Sequence, residues 1–233
     1  MVRRHTRRGA GISDVVDRSE GLANALRNAG ARLGTPAHVR IYKRESLLEL
    51  WLEGKDGNFG LFRSYPICAW SGTLGPKLRE GDRQSPEGFY RVTLKQLNPN
   101  SRHRLAFNIG YPNAYDEFHG RTGSAIMVHG GCSSVGCFAM TDAGIDEIYP
   151  IVEAALRAGQ PAVDVAIFPF RLTETSLQQE AGNPRIEFWR NLMDGAEQFE
   201  MSCRPPEVAT IEGRYCFGAE AAAAGATPIA GWV

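Results

Sequence analysis

The sequence predicts a mainly β protein with flanking helices, an α+β fold, on three observations. Short runs alternate apolar with polar residues through the first two thirds of the chain, separated by Gly, Pro and Asn clusters. One long stretch, TDAGIDEIYPIVEAALRAG from Thr141, carries an apolar stripe at helical spacing between two strand-like runs. Beyond Arg171 the pattern turns helical in SLQQEAGNPRIEFWRNLMDGAEQFE and then Pro- and Ala-rich.

Each element follows in order. MVRRHTRR places Arg3, Arg4, Arg7 and Arg8 in a basic, solvated tail, and the GAGISDVVDRSEGL after it lacks the apolar core of an export signal. Leu22, Leu26 and Ala29 predict a short packing helix stopped by Gly30, which completes a first segment, 1–37. HVRIYK from His38 and SLLELWLE from Ser46 read as strands with one buried face, Leu48, Leu50 and Leu52 opposing Glu49, Trp51 and Glu53. Lys55, Asp56, Gly57 and Asn58 turn the chain into GLFRSYPICAW. SGTLGPKLREGDRQSPEGFY from Ser71 is a loop long enough to signal function or disorder. YRVTLK and LAFNIG follow as strand-like runs, and SAIMVHG is a buried strand ending on His129. Thr141 caps the long helix, in which Pro150 predicts a kink or break. VDVAIF from Val163 returns as an apolar strand, so 38–172 is the main body and 173–233 an accessory segment packed on it.

Composition excludes several functions. The chain has 233 residues, 43% of them hydrophobic, enough to bury a core without staples. Its 26 Lys plus Arg balance 26 Asp plus Glu, so no net field holds a polyanion and nucleic-acid binding is not expected. No run approaches the roughly 20 apolar residues that span a bilayer.

Five cysteines, Cys68, Cys132, Cys137, Cys203 and Cys216, leave at least one outside any intramolecular disulfide. Cys68, between Ile67 and Ala69, fits a buried small side chain. The chemistry concentrates in MVHGGCSSVGCFAMTD, 127–142, where a strand delivers His129 into a turn of small residues that leads to a helix. Cysteine attacks carbonyls as its thiolate and needs a base beside it, and His129 can serve Cys137 in that way. Gly136 lets the backbone approach a substrate, and N–H groups near Gly136 and Cys137 can face a developing oxyanion. Three other readings stand beside this one. His129, Cys132, Cys137 and His119 could hold zinc, though no Cys-x2-Cys pair is present; Cys132 could bridge Cys137; or these are packed core residues. A Gly-Gly-Cys-Ser-Ser turn fits a core poorly, whereas His103 and His119 taken alone read as structural.

The run GRTGSAIMVHGGCSSVGCFAMTD from Gly120, with SGTLGPKLREGDRQSPEGFY and FNIGYPNAYD upstream, resembles the L,D-transpeptidase catalytic domain of YkuD type, and within it the YafK-like branch. The likeness covers about 38–171 and rests on His129, Gly130, Ser134, Gly136 and Cys137. Many relatives carry a second histidine where this chain has Val135, and a longer segment between histidine and cysteine. The resemblance implies a β sandwich or barrel-like fold with the site at one end, and a helical C-terminal accessory segment follows it here. It implies acyl transfer or hydrolysis on peptidoglycan stem peptides through a thioester on Cys137. His129 would be the base, the Gly130 carbonyl would orient it, and Ser134 and Gly136 would shape the oxyanion site. Arg121 and Lys77 are candidates for substrate carboxylates and equally for salt bridges. Trp70, Tyr111 and Tyr115 are candidates for a groove wall or for core. No cofactor or metal is implied. The partners implied are stem peptides and a lipoprotein joined to one, in the periplasm. A peptidoglycan-binding module with an inert thiol is the non-catalytic alternative.

Overall fold

The computed structural model describes residues 12–230, with side chains from residue 20 onward, so the tail expected at Arg3 to Arg8 lies outside the described residues. Helix α1 (Ile12–Asn28) precedes β1 (Ala37–Tyr42), β2 (Leu47–Glu53), β3 (Phe59–Ala69), β4 (Gly88–Val92), β5 (Leu97–Ser101) and β6 (Arg104–Asn108). Then come α2 (Ala114–Phe118), β7 (Met127–His129), β8 (Phe138–Met140), α3 (Asp142–Arg157) and β9 (Val163–Phe168). The C-terminal part comprises α4 (Glu174–Gln179), α5 (Ile186–Ser202), β10 (Val208–Ile211), β11 (Arg214–Phe217) and β12 (Thr227–Pro228).

The first nine strands make one curled mixed sheet in the order β4-β9-β1-β2-β3-β8-β7-β6-β5. Two parallel pairs, β1 with β9 and β7 with β8, interrupt an otherwise antiparallel ladder. Strand β3 pairs with β2 on one side and β8 on the other, with register shifts at Leu50/Trp51 and Ile67/Ala69 where the sheet bends. One face packs Val39, Leu48, Leu50, Val128 and Phe138 against Ile145, Ile148 and Val152 of α3. Helix α3 runs unbroken through Pro150, contrary to the expected break. Thr141 Oγ1 caps it by accepting from Gly144 N at 3.0 Å, and its buried stripe outweighs the ~3 kcal/mol that an interior proline costs.

The expectation of one buried face fails for β1 and β2. All six residues of β1 are buried, His38 and Arg40 included, because the C-terminal part covers the second face. Tyr42, Phe89 and Phe168 of the sheet share one aromatic cluster with Trp189, Leu192, Tyr215 and Phe217. Arg40 donates to Glu200 of α5 at 2.6 Å, and Glu49 is buried against Arg171 and the Trp51 indole. The accessory segment is helical in α4 and α5 as expected and adds the small sheet β11-β10-β12, which its composition did not announce.

The 71–90 loop is ordered by a charge set beneath it. Lys43 Nζ donates to Gly75 O, Ser85 O and Glu87 Oε1, each at 2.9 Å, and Trp189 Nε1 donates to Glu87 Oε2 at 2.9 Å. Both charges are fully enclosed and fully bonded, the condition under which a buried pair is tolerated. The stretch is irregular only as far as residue 87, since Gly88 to Tyr90 open β4, and it is thereby fastened to Lys43 just after β1 and to α5.

Candidate active site

Strands β7 and β8 run parallel, with Val128 opposite Phe138 and His129 opposite Ala139. Val128 and Phe138 point into the core, so alternation puts Met127 and His129 on the other face, with Cys137 beside Met127 just before β8. Met127 N donates to Cys137 Sγ at 3.4 Å, and the thiol faces Ala125 O at 3.7 Å. Cys137 is a free, partly exposed thiol two residues along the ladder from His129, on the same face. No hydrogen bond joins thiol and imidazole among the described residues.

The imidazole is held from behind. Its Nδ1 lies 2.6 Å from Gly130 O, and since a carbonyl only accepts, Nδ1 carries the proton and Nε2 is the free base. A side chain at Gly130 would come within 2.9 Å of Asp142 Oδ1 and Ile145 Cγ2 and 2.8 Å of His103 O, so only glycine puts its carbonyl there. Burial pushes the His129 imidazole down from its ordinary value, with the His103 charge adding to the shift and the Gly130 carbonyl opposing it. Burial also pushes the Cys137 thiol up, against the Met127 N–H and the Lys77 charge. Both shifts favour the neutral forms. Neither shift by itself ionises the pair, so a thiolate on Cys137 draws on the imidazole beside it rather than on the surroundings.

The nucleophile turn is bolted to the long loop by hydroxyls. Ser134 Oγ donates to Cys137 O at 2.6 Å, and Gly136 N donates to Ser71 Oγ at 2.6 Å. Ser85 Oγ also reaches Cys137 O, at 3.4 Å. Gly136 has φ +113°, a conformation suited to glycine. Its N–H is occupied by Ser71, which corrects the expectation that it faces an oxyanion, and Ser134 likewise fixes the turn. Ser71 and Ser85 were not legible as site residues, being more than fifty positions from the cysteine they support.

Cys68 and Cys132 form a disulfide, Cα atoms 5.1 Å apart, joining the end of β3 to the turn after β7. This corrects two expectations: Cys68 is not an isolated buried thiol, and Cys132 does not bridge Cys137. It also takes Cys132 from the proposed zinc set, and among the described residues no group of three or more His, Cys, Asp or Glu is arranged to hold a metal.

The other candidates scatter. Arg121 is buried, donates to Asp116 Oδ1 at 2.8 Å and stacks on Tyr115 and Phe188, so the substrate carboxylate expected of it has no access. Lys77 is buried, with Nζ donating to Asp82 Oδ1 at 2.6 Å and Arg79 O at 2.9 Å; it reaches the site only through its field. Tyr111 and Tyr115 are core residues, and Trp70 is partly buried with its indole on Ser46 Oγ at 3.2 Å. His119 lies 2.8 Å from Gly213 O, a structural histidine. His103 does more than expected: from the β5–β6 turn its ring sits 4.9 Å from that of His129. It supplies a second imidazole by a route that the motif, with Val135 in its place, gave no sign of.

The L,D-transpeptidase catalytic domain family, YkuD, matches residues 36–167. The chain is 46% identical over 183 residues to the protein named "Putative L,D-transpeptidase YafK" of Escherichia coli K12 and equally to that of strain O157:H7, covering 78% of this chain and 74% of theirs. This chain belongs to the L,D-transpeptidase catalytic domain family. Among solved structures, this family member is similar to the helical cell shape determining protein Pgp2 from Campylobacter jejuni, at 17% identity and TM-score 0.46, over 81% of this chain and 80% of that one. A point mutant of the same protein aligns at 21% identity and TM-score 0.48, over 75% of this chain and 62% of that one. L,D-transpeptidase 1 of Mycobacterium tuberculosis aligns at 13% identity and TM-score 0.30, over 57% and 62%.

Proposed function

We propose that this L,D-transpeptidase family member is a cysteine acyltransferase or peptidase acting on peptidoglycan stem peptides through a thioester on Cys137. The observation that carries the reading is a free, partly exposed thiol on the same sheet face as an imidazole whose proton is fixed on the far nitrogen by Gly130 O. His129 Nε2 takes the thiol proton as sulfur attacks the carbonyl at the L-centre of the stem's diamino acid. The Cys137 N–H, at the head of β8, is the donor assigned to the oxyanion, an interaction worth roughly 3 kcal/mol in comparable sites. The C–N bond breaks, the leaving amine carries off the proton from His129, and a thioester remains. An incoming amine or water then attacks the thioester and gives a proton to His129, the C–S bond breaks, and the departing Cys137 sulfur takes that proton back. An amine from a second stem yields a cross-link, water yields trimming, and water acting on a stem joined to a lipoprotein yields release. The name of the Escherichia coli relatives supports the first of these.

The Cys68–Cys132 disulfide supports an oxidising location, and with the family it supports the periplasm. No helix among the described residues is long and apolar enough to cross a membrane.

The test is mass spectrometry of the oxidised protein with a carbapenem and with defined tetrapeptide, cross-linked and lipoprotein-linked muropeptides. One adduct on Cys137 and a product mass lost in Cys137→Ala are expected. Muropeptide binding with no adduct and no product would replace this reading by a binding module with an inert thiol.

A further inference from the structure

With Arg121 committed to Asp116 and Lys77 to Asp82, the positive charge free to meet a substrate near Cys137 lies elsewhere. A cleft of about 320 Å³ is lined by Pro76, Leu78, Arg79, Asp82 and Gln84 of the long loop and by Arg185 at the head of α5. Its residue Gln84 also touches the nucleophile turn, with its carbonyl 3.6 Å from where a Cβ on Gly136 would stand. The next residue, Ser85, reaches Cys137 O.

The charges of this cleft do not cancel within it. Asp82 accepts from Lys77 Nζ and Gln84 N on one oxygen and from Leu78 N and Arg79 N on the other, which turns its charge into the loop. The side chains of Arg79 and Arg185 have no ion pair or hydrogen bond among the described residues. Arg79 is exposed, while Arg185 is partly buried and lies across Gly75, where any Cβ would overlap its Nε. Backbone shape thus places the Arg185 guanidinium, and among the described residues no carboxylate is bonded to it. Such a group gains more from an arriving carboxylate than a fully solvated arginine does, and its planar fork suits two oxygens.

We propose that Arg79 and Arg185 form the carboxylate subsite of this active site, binding a free α-carboxylate of the stem peptide as it lies across Cys137. This rests on the acyl-transfer reading above and gives the C-terminal segment, through Arg185, a part in substrate recognition. A stem tetrapeptide offers two such groups: the terminal carboxylate of the leaving residue, and the second carboxylate of a diamino diacid at the third position.

The experiment compares three tetrapeptides on the oxidised full chain: the free acid with diaminopimelate at the third position, the same peptide amidated at its C-terminus, and the free acid with lysine at the third position. Removing the recognised carboxylate is expected to lower kcat/KM by about ten- to a hundredfold, chiefly through KM, the size of a charged hydrogen-bonded contact. The double variant Arg79→Gln/Arg185→Gln should show that loss on the free acid and none beyond it on the derivative lacking the group. Arg185→Lys should recover part of it, and alkylation of Cys137 by iodoacetamide should report an intact site throughout. Equal turnover of all three peptides by wild type, or of the free acid by the double variant, overturns the subsite and leaves acyl transfer standing. If wild type turns over none of them, calorimetry of the free acid on Cys137→Ala decides. Binding weakened by the two arginine substitutions keeps the subsite and removes acyl transfer, and binding that is absent or unweakened removes the subsite too.

Discussion

His129 and Cys137 are both pushed toward neutrality by burial, and this fixes the sign of the pH response. A depressed imidazole pKa leaves Nε2 unprotonated, and so able to accept, at pH values below the ordinary histidine range. Acylation should therefore hold its rate at pH ~6.5 and fall only as the pH drops below that. A raised thiol pKa means that iodoacetamide alkylation of the free protein should climb only above the ordinary thiol range of ~8.5. Both midpoints belong to the coupled pair. An acylation midpoint at or above ~6.5 would show an imidazole that burial has not depressed, and an alkylation midpoint well below ~8.5 would show a resting thiolate. What the sequence disclosed at this scale was local: His129, Gly130, Ser134, Gly136 and Cys137 lie within nine positions and share one turn. The Ser71 and Ser85 hydroxyls, the His103 ring and the Cys68 sulfur reach that turn through the fold, and no spacing rule brings them there.

Among the elements, strands with clear alternation or apolar runs were legible, as were the capped helix α3 and the turn at Gly57. Strand β5, LNPNS, is a polar edge strand with no apolar signal, and β8 is three residues long, so neither carried enough pattern to be seen. The double burial of β1 was hidden because its second face is covered by residues about 150 positions later. Helix α5 also presses Gly195 against Phe217 and Phe89, where an added Cβ would overlap both rings. Alanine gains about 1 kcal/mol of helix propensity there but overpacks a core contact at about 1–3 kcal/mol. Gly195→Ala should therefore lower the denaturant midpoint. Gly21→Ala in α1, where a Cβ meets nothing within 4 Å, should leave the midpoint unchanged or raise it. A higher midpoint for Gly195→Ala would mean that α5 is looser on the sheet than its packing implies.

Over the whole molecule, the long loop ties the sheet, the C-terminal part and the site together. Lys43 holds it from β1, Trp189 from α5 through Glu87, and Ser71 and Ser85 carry it to Cys137. The disulfide fastens the same turn from β3. Closing a span of 64 residues is worth about 4 kcal/mol in the chain-entropy account. Cys68→Ser/Cys132→Ser should melt at lower temperature and form the Cys137 thioester more slowly, and wild type held in reductant should match it. Unchanged thioester formation in both would show that the serine contacts alone fix the turn. If the slower rate is found, the staple acts as a redox licence: the chain works at full rate only where the two sulfurs stay joined, and idles wherever thiols are kept reduced.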